Sequence, residues 1–360
     1  GSYEPVQLGK RLGLGGEALV YQLPDGKCAK IFKSKNNSVM KKEKIRIMVR
    51  KLGAMRAVDA ALMSRLAWPE KMLYNEQREW IGYIMPAFSN THPFADYSYD
   101  TFPALIPNVS KADQIRMSVA LTELVDFLHY NNIVLCDINT SNILFDNDQN
   151  AYLIDLDSAQ VAFEEKVFPT NVGLPDYLSP EHIRSCTFDF IKKKCDDVWI
   201  LQNLIFKILT PCGHPYSSSI YCEDDREYVE KGIYPFQFDK HPAEEKIRGG
   251  PWYNVISHLP YYLKEGFWES FHGEGKWFHE KERRPVSYWL NILVRYQEDL
   301  PALTAYDAES GKYLPSRAKK APPPKAKVIS KESCSLADFN ELLKKLPLEA
   351  KKNKSWDSMV

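Results

Sequence analysis

The 360-residue sequence carries no net charge, since Lys+Arg and Asp+Glu both total 47. An even balance gives no field to draw the chain onto nucleic acid or an anionic membrane, and neither partner is expected. A cysteine framework is also missing. Seven cysteines lie scattered at Cys28, Cys136, Cys186, Cys195, Cys212, Cys222 and Cys334. Their odd number and the lack of any Cys-x-x-Cys pair exclude a disulfide scaffold and a zinc-site pattern, and imply a reducing compartment. No apolar run reaches membrane-spanning length and no signal-peptide pattern is present, so the expectation is a soluble, cytoplasmic protein, or one acting in a host cytosol if it is a secreted effector. Gly1-Ser2 reads as a cloning remnant, which leaves a leader or further domains open. Internal repeats are absent.

What remains is a globular composition, 44% hydrophobic and 12% aromatic. This length supports one large core or two closely packed lobes with a tail. Residues 6–14 and 18–23 read as strands around a glycine cluster, and Pro24-Asp25-Gly26 is a tight turn into a third strand over 27–32. A basic helix without Pro is expected over about 37–52, and a hairpin from 72–74 and 80–85. From Ser110 the pattern becomes helical. Ser110 and Asp113 resemble a capping box, and Ile115, Val119, Leu121, Leu124, Val125 and Leu128 keep helical spacing. Short strands at 143–145 and 152–154 follow, then an apolar helix over 198–209 and an amphipathic one beginning at 287. The Lys- and Pro-rich stretch 312–331 is a linker by composition. Beyond it Leu336, Phe339, Leu342, Leu343 and Leu346 form an apolar stripe on a helix over 335–347, which either docks on the chain's own body or takes a partner.

Three groups of residues carry chemistry. Gly13, Gly15 and Gly16 sit in a strand-turn-strand loop where backbone N–H groups can approach phosphates, although a plain hairpin turn reads the same way. Lys30, on the third strand, could pair with phosphates beside that loop. Glu43 is the only acidic residue between Ile31 and Val58, and is therefore the expected carboxylate partner of Lys30. The third group is the stretch Leu135-Cys136-Asp137-Ile138-Asn139-Thr140-Ser141-Asn142, followed by Ile154-Asp155-Leu156-Asp157. A carboxylate to meet an incoming hydroxyl, then an amide and a second carboxylate for Mg²⁺, are what phosphoryl transfer demands.

The stretch around Asp137 and Asn142 resembles the H-R-D-x-x-x-x-N catalytic loop of protein kinases, with Asp155 in the place of the D-F-G aspartate. Downstream, the segment from Gly173 to Asp176, Ser179-Pro180-Glu181, Asp197-Val198-Trp199 and Arg284-Pro285 keep the order of later kinase landmarks. The resemblance covers about residues 7–298. It implies an α+β, two-lobed kinase fold, with a β-rich N-lobe at 1–86, a mainly helical C-lobe at 87–300, and a linker and amphipathic tail helix at 301–360. More closely, V-x-x-D-x-N-x-x-N-I-L with D-x-D-S resembles a bacterial group related to tellurite-cluster kinases, some of which carry helix-hairpin-helix tails.

The resemblance further implies ATP with Mg²⁺ or Mn²⁺ and a protein substrate. Asp137 would be the base, Lys30 with Glu43 the phosphate anchor, and Asn142 and Asp155 the metal ligands. Val20 and Cys28 would lie above adenine, Leu144 below, and Met85, Ala87 and Phe88 along the hinge. A buried ion pair is implied between Glu181 and Arg284.

Four departures from the family pattern stand out. Leu135 and Cys136 replace His-Arg, removing a receptor for an activation-loop phosphate, with Thr170 the site if one is used. Asn139 replaces a lysine and could hydrogen-bond a substrate or phosphate oxygen. Asp157 replaces a glycine, either adopting its backbone angles or adding a metal ligand. Leu174 stands where Ser/Thr kinases carry Thr or Ser. The expected activity is protein phosphorylation, Ser/Thr ahead of Tyr, with autophosphorylation. A pseudokinase scaffold or a small-molecule kinase are the alternatives.

Overall fold

The computed structural model describes residues 4–33, 38–97, 109–169, 178–185, 191–210, 214–216, 225–236, 238–239, 256 and 259–310. The segment from Gly173 to Asp176, Thr170, the linker and the tail helix at 335–347 lie outside them.

The N-terminal region is a five-stranded antiparallel sheet in the order β1-β2-β3-β5-β4. Its strands are β1 (Arg11–Leu14), β2 (Ala18–Gln22), β3 (Lys27–Phe32), β4 (Lys71–Tyr74) and β5 (Trp80–Pro86). The Asp25-Gly26 turn works as expected, since Gly26 takes a positive φ of 78° that a side chain would strain. Register places Lys30 opposite Val20 on one side and Tyr83 on the other. At that point β3 and β5 run so close that a Cβ on Gly82 would lie 1.9 Å from the Lys30 carbonyl oxygen. Only glycine fits there.

Helix α1 (Val39–Val58) ends six residues later than its pattern suggested, because Gly53 costs about 1 kcal/mol without breaking a helix. Ser38 caps its start by accepting from Lys41 N, and the chain leaves it at Asp59, which at once caps α2 (Ala60–Met63). The turn after α2 ties this region to the C-terminal region. Ala67 N donates to the Leu153 carbonyl at 2.8 Å, and Leu153 N to that of Arg65 at 3.0 Å.

The C-terminal region is built on α3 (Lys111–Tyr130), which packs against α5 (Lys194–Leu209) and α8 (Val286–Ser310). The capping box forms as read. Ser110 Oγ accepts from Asp113 N, and Asp113 returns the bond to Ser110 N. Leu121, Leu124 and Leu128 are fully buried against Trp199, Phe206, Phe267 and Trp289, and burying such side chains contributes about 1.5–3 kcal/mol each. The short strand β6 (Thr91–Pro93) precedes α3, and between α3 and α5 come β7 (Ile133–Val134), β8 (Ile143–Asp146), β9 (Ala151–Leu153), β10 (Gln160–Phe163) and β11 (Lys166–Phe168). The β8–β9 hairpin was expected. β6, β7 and the β10–β11 hairpin were not, being two to four residues long with no alternation to mark them.

Among the described residues, α4 (Pro180–Ser185), α6 (Asp225–Lys231) and α7 (Tyr261–Phe271) add to the helical part. The last helix, α8, runs past the expected lobe boundary at residue 300. This is the two-lobed α+β fold the motifs imply. Among the described residues no helix is long and apolar enough to cross a membrane.

Candidate active site

The loop after β7 presents Asp137. It turns sharply: Asp137 N donates to the Leu135 carbonyl at 2.7 Å, and Cys136 between them has φ 64°. A non-glycine residue held there costs about 1–3 kcal/mol and persists only under restraint. Asp197, near the start of α5 and 0% exposed, supplies it. Its carboxylate accepts from Leu135 N at 2.6 Å and Cys136 N at 2.8 Å, and pairs with His129 Nε2 at 2.9 Å. His129 carries no mark in the sequence beyond its place at the end of a helix.

Asn139 differs from expectation. It is 8% exposed, and its bonds are internal: Nδ2 donates to Asp137 Oδ1 at 3.0 Å, while Oδ1 accepts from Ser141 N at 2.9 Å and Asn142 N at 3.2 Å. It therefore orients the Asp137 carboxylate and shapes the loop, its polar atoms being turned inward. Asn142 Nδ2 donates to the Asp137 carbonyl at 3.2 Å, which leaves the amide oxygen as the donor suited to a hard cation. Asp155 reaches the same place from the end of β9, in a left-handed conformation (φ 61°, ψ 35°) secured by Ser158 Oγ donating to its carbonyl at 2.9 Å. Asp137, Asn142 and Asp155 line one cleft, floored by Leu135, Leu153 and Ile154. One amide and one carboxylate fit Mg²⁺, which is commonly held by few protein oxygens and completed by substrate phosphates.

The expected Lys30–Glu43 pair is not formed. Lys30 Nζ is bonded to the carboxylates of Asp155 and Asp157, while Glu43 pairs with Arg46 at 2.7 Å on the outer face of α1. The cause is helix phase. One residue is 100° of rotation, and the face of α1 turned inward carries Lys44, Ile45, Ile47 and Met48. Asp157 also departs from both of its expected roles. Asp155, not Asp157, has the positive φ. The Asp157 carboxylate is enclosed, 7% exposed, and takes Lys30 and the Tyr83 O–H (2.8 Å) on the same oxygen. It is turned toward the sheet as the partner of Lys30 and does not line the cleft shared by Asp137, Asn142 and Asp155.

Burial by itself would lower the Lys30 pKa, but Asp157 and then Asp155 outweigh it and hold it above the ordinary lysine value. Burial pushes Asp157 up, and Lys30 with the Tyr83 hydroxyl overcomes that and holds it below the carboxylate range. Asp155 ends raised: burial exceeds the pull of Lys30, and the charge of Asp157 adds to it. Lys44 is lowered to about 8 by burial, with Asp157 opposing.

The remaining expected contacts surround this centre. Cys28 is buried opposite Met85 across β3–β5, and burial raises its thiol pKa, as befits a packing residue. Val20 and Leu144 are half-buried, as are Ala87 and Phe88, and Phe88 packs on Tyr152 with ring centroids 4.8 Å apart. Gly13, Gly15 and Gly16 have ordinary φ, and a Cβ at any of them meets nothing closer than 3.6 Å. Neither backbone angle nor neighbouring atoms require glycine at these three positions. Lys33 Nζ donates to the Gly15 carbonyl at 2.8 Å and ties the loop to the end of β3.

A second ion pair is also displaced by one residue. Glu181 is held by Arg283, whose Nη2 donates to both carboxylate oxygens at 3.0 and 3.1 Å. Arg283 is fully enclosed and also donates to the Cys195 and Phe278 carbonyls. Arg284, the residue first expected, is exposed and lies over the rings of Trp277 and Tyr288 at 4.8 and 5.6 Å. Side chains alternate where the chain leaves the 3-10 turn Glu280–Glu282, so adjacent arginines face opposite ways.

This arrangement of fold and site is that of a kinase, and comparison with known proteins agrees. Residues 6–246 match the protein kinase domain family. The chain belongs to that family. It is 26% identical over 280 residues to protein kinase YegI of Escherichia coli K12, covering 76% of this chain and 42% of the relative. Its O157:H7 counterpart is also 26% identical, over 84% of this chain and 46% of the relative. The catalytic subunit of cAMP-dependent protein kinase from Dictyostelium discoideum is 32% identical over 117 residues, 32% of this chain and 17% of that protein. The chain spans less than half the length of these relatives.

Proposed function

We propose that the protein is an active kinase that transfers the γ-phosphoryl group of ATP to a hydroxyl of a protein, Ser/Thr rather than Tyr, itself included. The observation that carries this reading is the convergence of Asp137, Asn142 and Asp155 on one cleft with Lys30 at its edge. Asp137, with its carboxylate oriented by Asn139, accepts the proton of the attacking hydroxyl. Lys30 offers its ammonium to the phosphates beside the Gly13–Gly16 loop. Asn142 and Asp155 would hold Mg²⁺, which would supply neutralisation of the phosphate charge. Val20 and Cys28 from the sheet and Leu144 from β8 give apolar faces for adenine, with Met85, Ala87 and Phe88 along its edge.

Within the bacterial kinases, the V-x-x-D-x-N-x-x-N-I-L and D-x-D-S motifs favour the group related to tellurite-cluster kinases. We place the N-lobe at 1–86 and the C-lobe from 87 to the end of α8, with a linker and a partner- or self-docking helix beyond. The test is incubation with γ-labelled ATP, Mg²⁺ and generic protein acceptors, followed by phosphoamino acid analysis. Phosphoserine or phosphothreonine is expected. Label on tyrosine alone, or on no protein, overturns this assignment.

A further inference from the structure

We infer that Asp157, buttressed by Tyr83, is the residue that positions Lys30 for nucleotide, a role moved off helix α1 and onto the segment that carries the metal ligand. This rests on the kinase reading above. The argument is one of placement. Lys30 and Tyr83 are cross-strand neighbours on β3 and β5, so their side chains project on the same face of the sheet. Asp157 enters from the opposite side, two residues after Asp155, and meets both on one carboxylate oxygen. Tyr83 is completely buried, and its hydroxyl bond to Asp157 fixes the carboxylate before any ligand arrives.

Helix α1 cannot take this part as it is phased. Its single acidic residue up to Val58 is bound to Arg46 on the outer face, and the buried residue next to it is a lysine, Lys44, facing the same Asp157. A carboxylate from α1 would also need that helix to hold its position. Asp157 needs only the short turn Leu156–Ser158, which packs Leu156 into the core. Lys30 binds two carboxylates of unlike exposure, with the Asp155 side chain 46% exposed and that of Asp157 7%. The exposed one is available to exchange Lys30 for Mg²⁺, while the enclosed one keeps the ammonium in place. Asp157 is thus a positioning residue that acts through Lys30, and the lysine geometry is independent of the charge at residue 43.

The test is a double-mutant cycle on kcat/KM for ATP with the full chain. Lys30→Gln is expected to cost on the order of 10²–10³-fold and Asp157→Asn about 10²-fold, as for loss of a preorganised electrostatic contact. The combined variant is expected to be no worse than Lys30→Gln alone, because both changes remove one interaction. Glu43→Gln should change kcat/KM by less than about twofold, since an outer-face pair contributes little. Full additivity of Lys30→Gln and Asp157→Asn, or a loss in Glu43→Gln as large as that in Asp157→Asn, overturns the proposal. If Asp157→Asn does not fold, Tyr83→Phe takes its place, with a loss of about fivefold for one hydrogen bond that disappears in the Lys30→Gln background. Persistence of that loss in the Lys30→Gln background rejects the role of Tyr83 and Asp157. If the wild-type chain transfers no phosphoryl group, the kinase reading fails on its own. The same cycle is then read on the affinity for a fluorescent ATP analogue with Mg²⁺, where coupled Lys30 and Asp157 effects uphold the inference and additive ones reject it.

Discussion

The loop that carries Asp137 and the centre that anchors Lys30 are built in different ways. The loop is assembled within eight residues of chain, from Leu135 to Asn142, and braced from outside by one carboxylate, Asp197. The anchoring centre joins β3, β5 and the turn after β9, with Lys30 separated from Asp157 by 127 positions. In the loop, spacing along the chain decides which groups meet. In the anchoring centre, strand register and helix phase decide. A role within the loop therefore survives changes in packing elsewhere, whereas a partner reached across the sheet can be exchanged for another that arrives at the same point.

The largest effect that would break the loop side of this comparison is removal of its brace. Asp197→Ala leaves the Leu135 and Cys136 N–H groups buried without an acceptor, each costing about 1–3 kcal/mol. Urea unfolding should show a loss of roughly 3 kcal/mol or more. Displacement of Asp137 should lower kcat about 10²-fold in an ATP-transfer assay.

The two adjacent arginines sharpen the lesson about partners chosen across elements. Arg283→Ala strands the half-buried carboxylate of Glu181 and should cost about 3 kcal/mol, as for breaking a buried pair. Arg284→Ala removes a surface contact with two rings and should cost about 1 kcal/mol or less. Chemical denaturation of both variants checks the order. Equal losses would undo the assignment.

A smaller effect is a pH dependence next door. His182 is held to about 4 by burial and by the charge of Lys192. Its folded pKa lies below the ordinary 6.5, so the unfolded chain binds the extra proton between those values. Its contribution is present above about pH 6.5 and is lost as pH falls toward 4. The stability difference between wild type and His182→Gln should therefore shrink across that window. Asp196, raised to about 6 by burial, works in the opposite sense, and at 3.8 Å from His182 Nδ1 it is in contact with that ring, so the difference reads the two together. Smallest of all, Glu43→Gln should move stability by less than about 0.5 kcal/mol by the same denaturation measurement, as expected of an exposed pair.

The same contrast explains what could be read from the sequence. The Ser110–Asp113 capping box, the β3 boundaries and the five-residue step from Asp137 to Asn142 all depend on neighbours in the chain, and each is present. Glu43 was singled out because it is the lone acid in its segment, a criterion that ignores which side of α1 faces inward. Arg284 was chosen by its place before Pro285, and the alternation after the 3-10 turn put Arg283 inside instead. Tyr83 and His129 gain their importance only where strands and helices meet, and no local pattern marks them, while Asp157 was noticed as a departure without its partner Lys30 being foreseen. Asn139 was noticed as a departure, but its inward bonds required the folded loop to be seen.

The central claim, that Asp137 is the base of a phosphoryl-transfer site, is tested most directly by comparing wild type with Asp137→Asn. Transfer from γ-labelled ATP to protein should be measured alongside Mg²⁺-dependent nucleotide binding. The account predicts a fall in kcat of about 10²–10⁴-fold with binding retained. Equal transfer by the two proteins, or none by the wild type while it binds nucleotide, would contradict it.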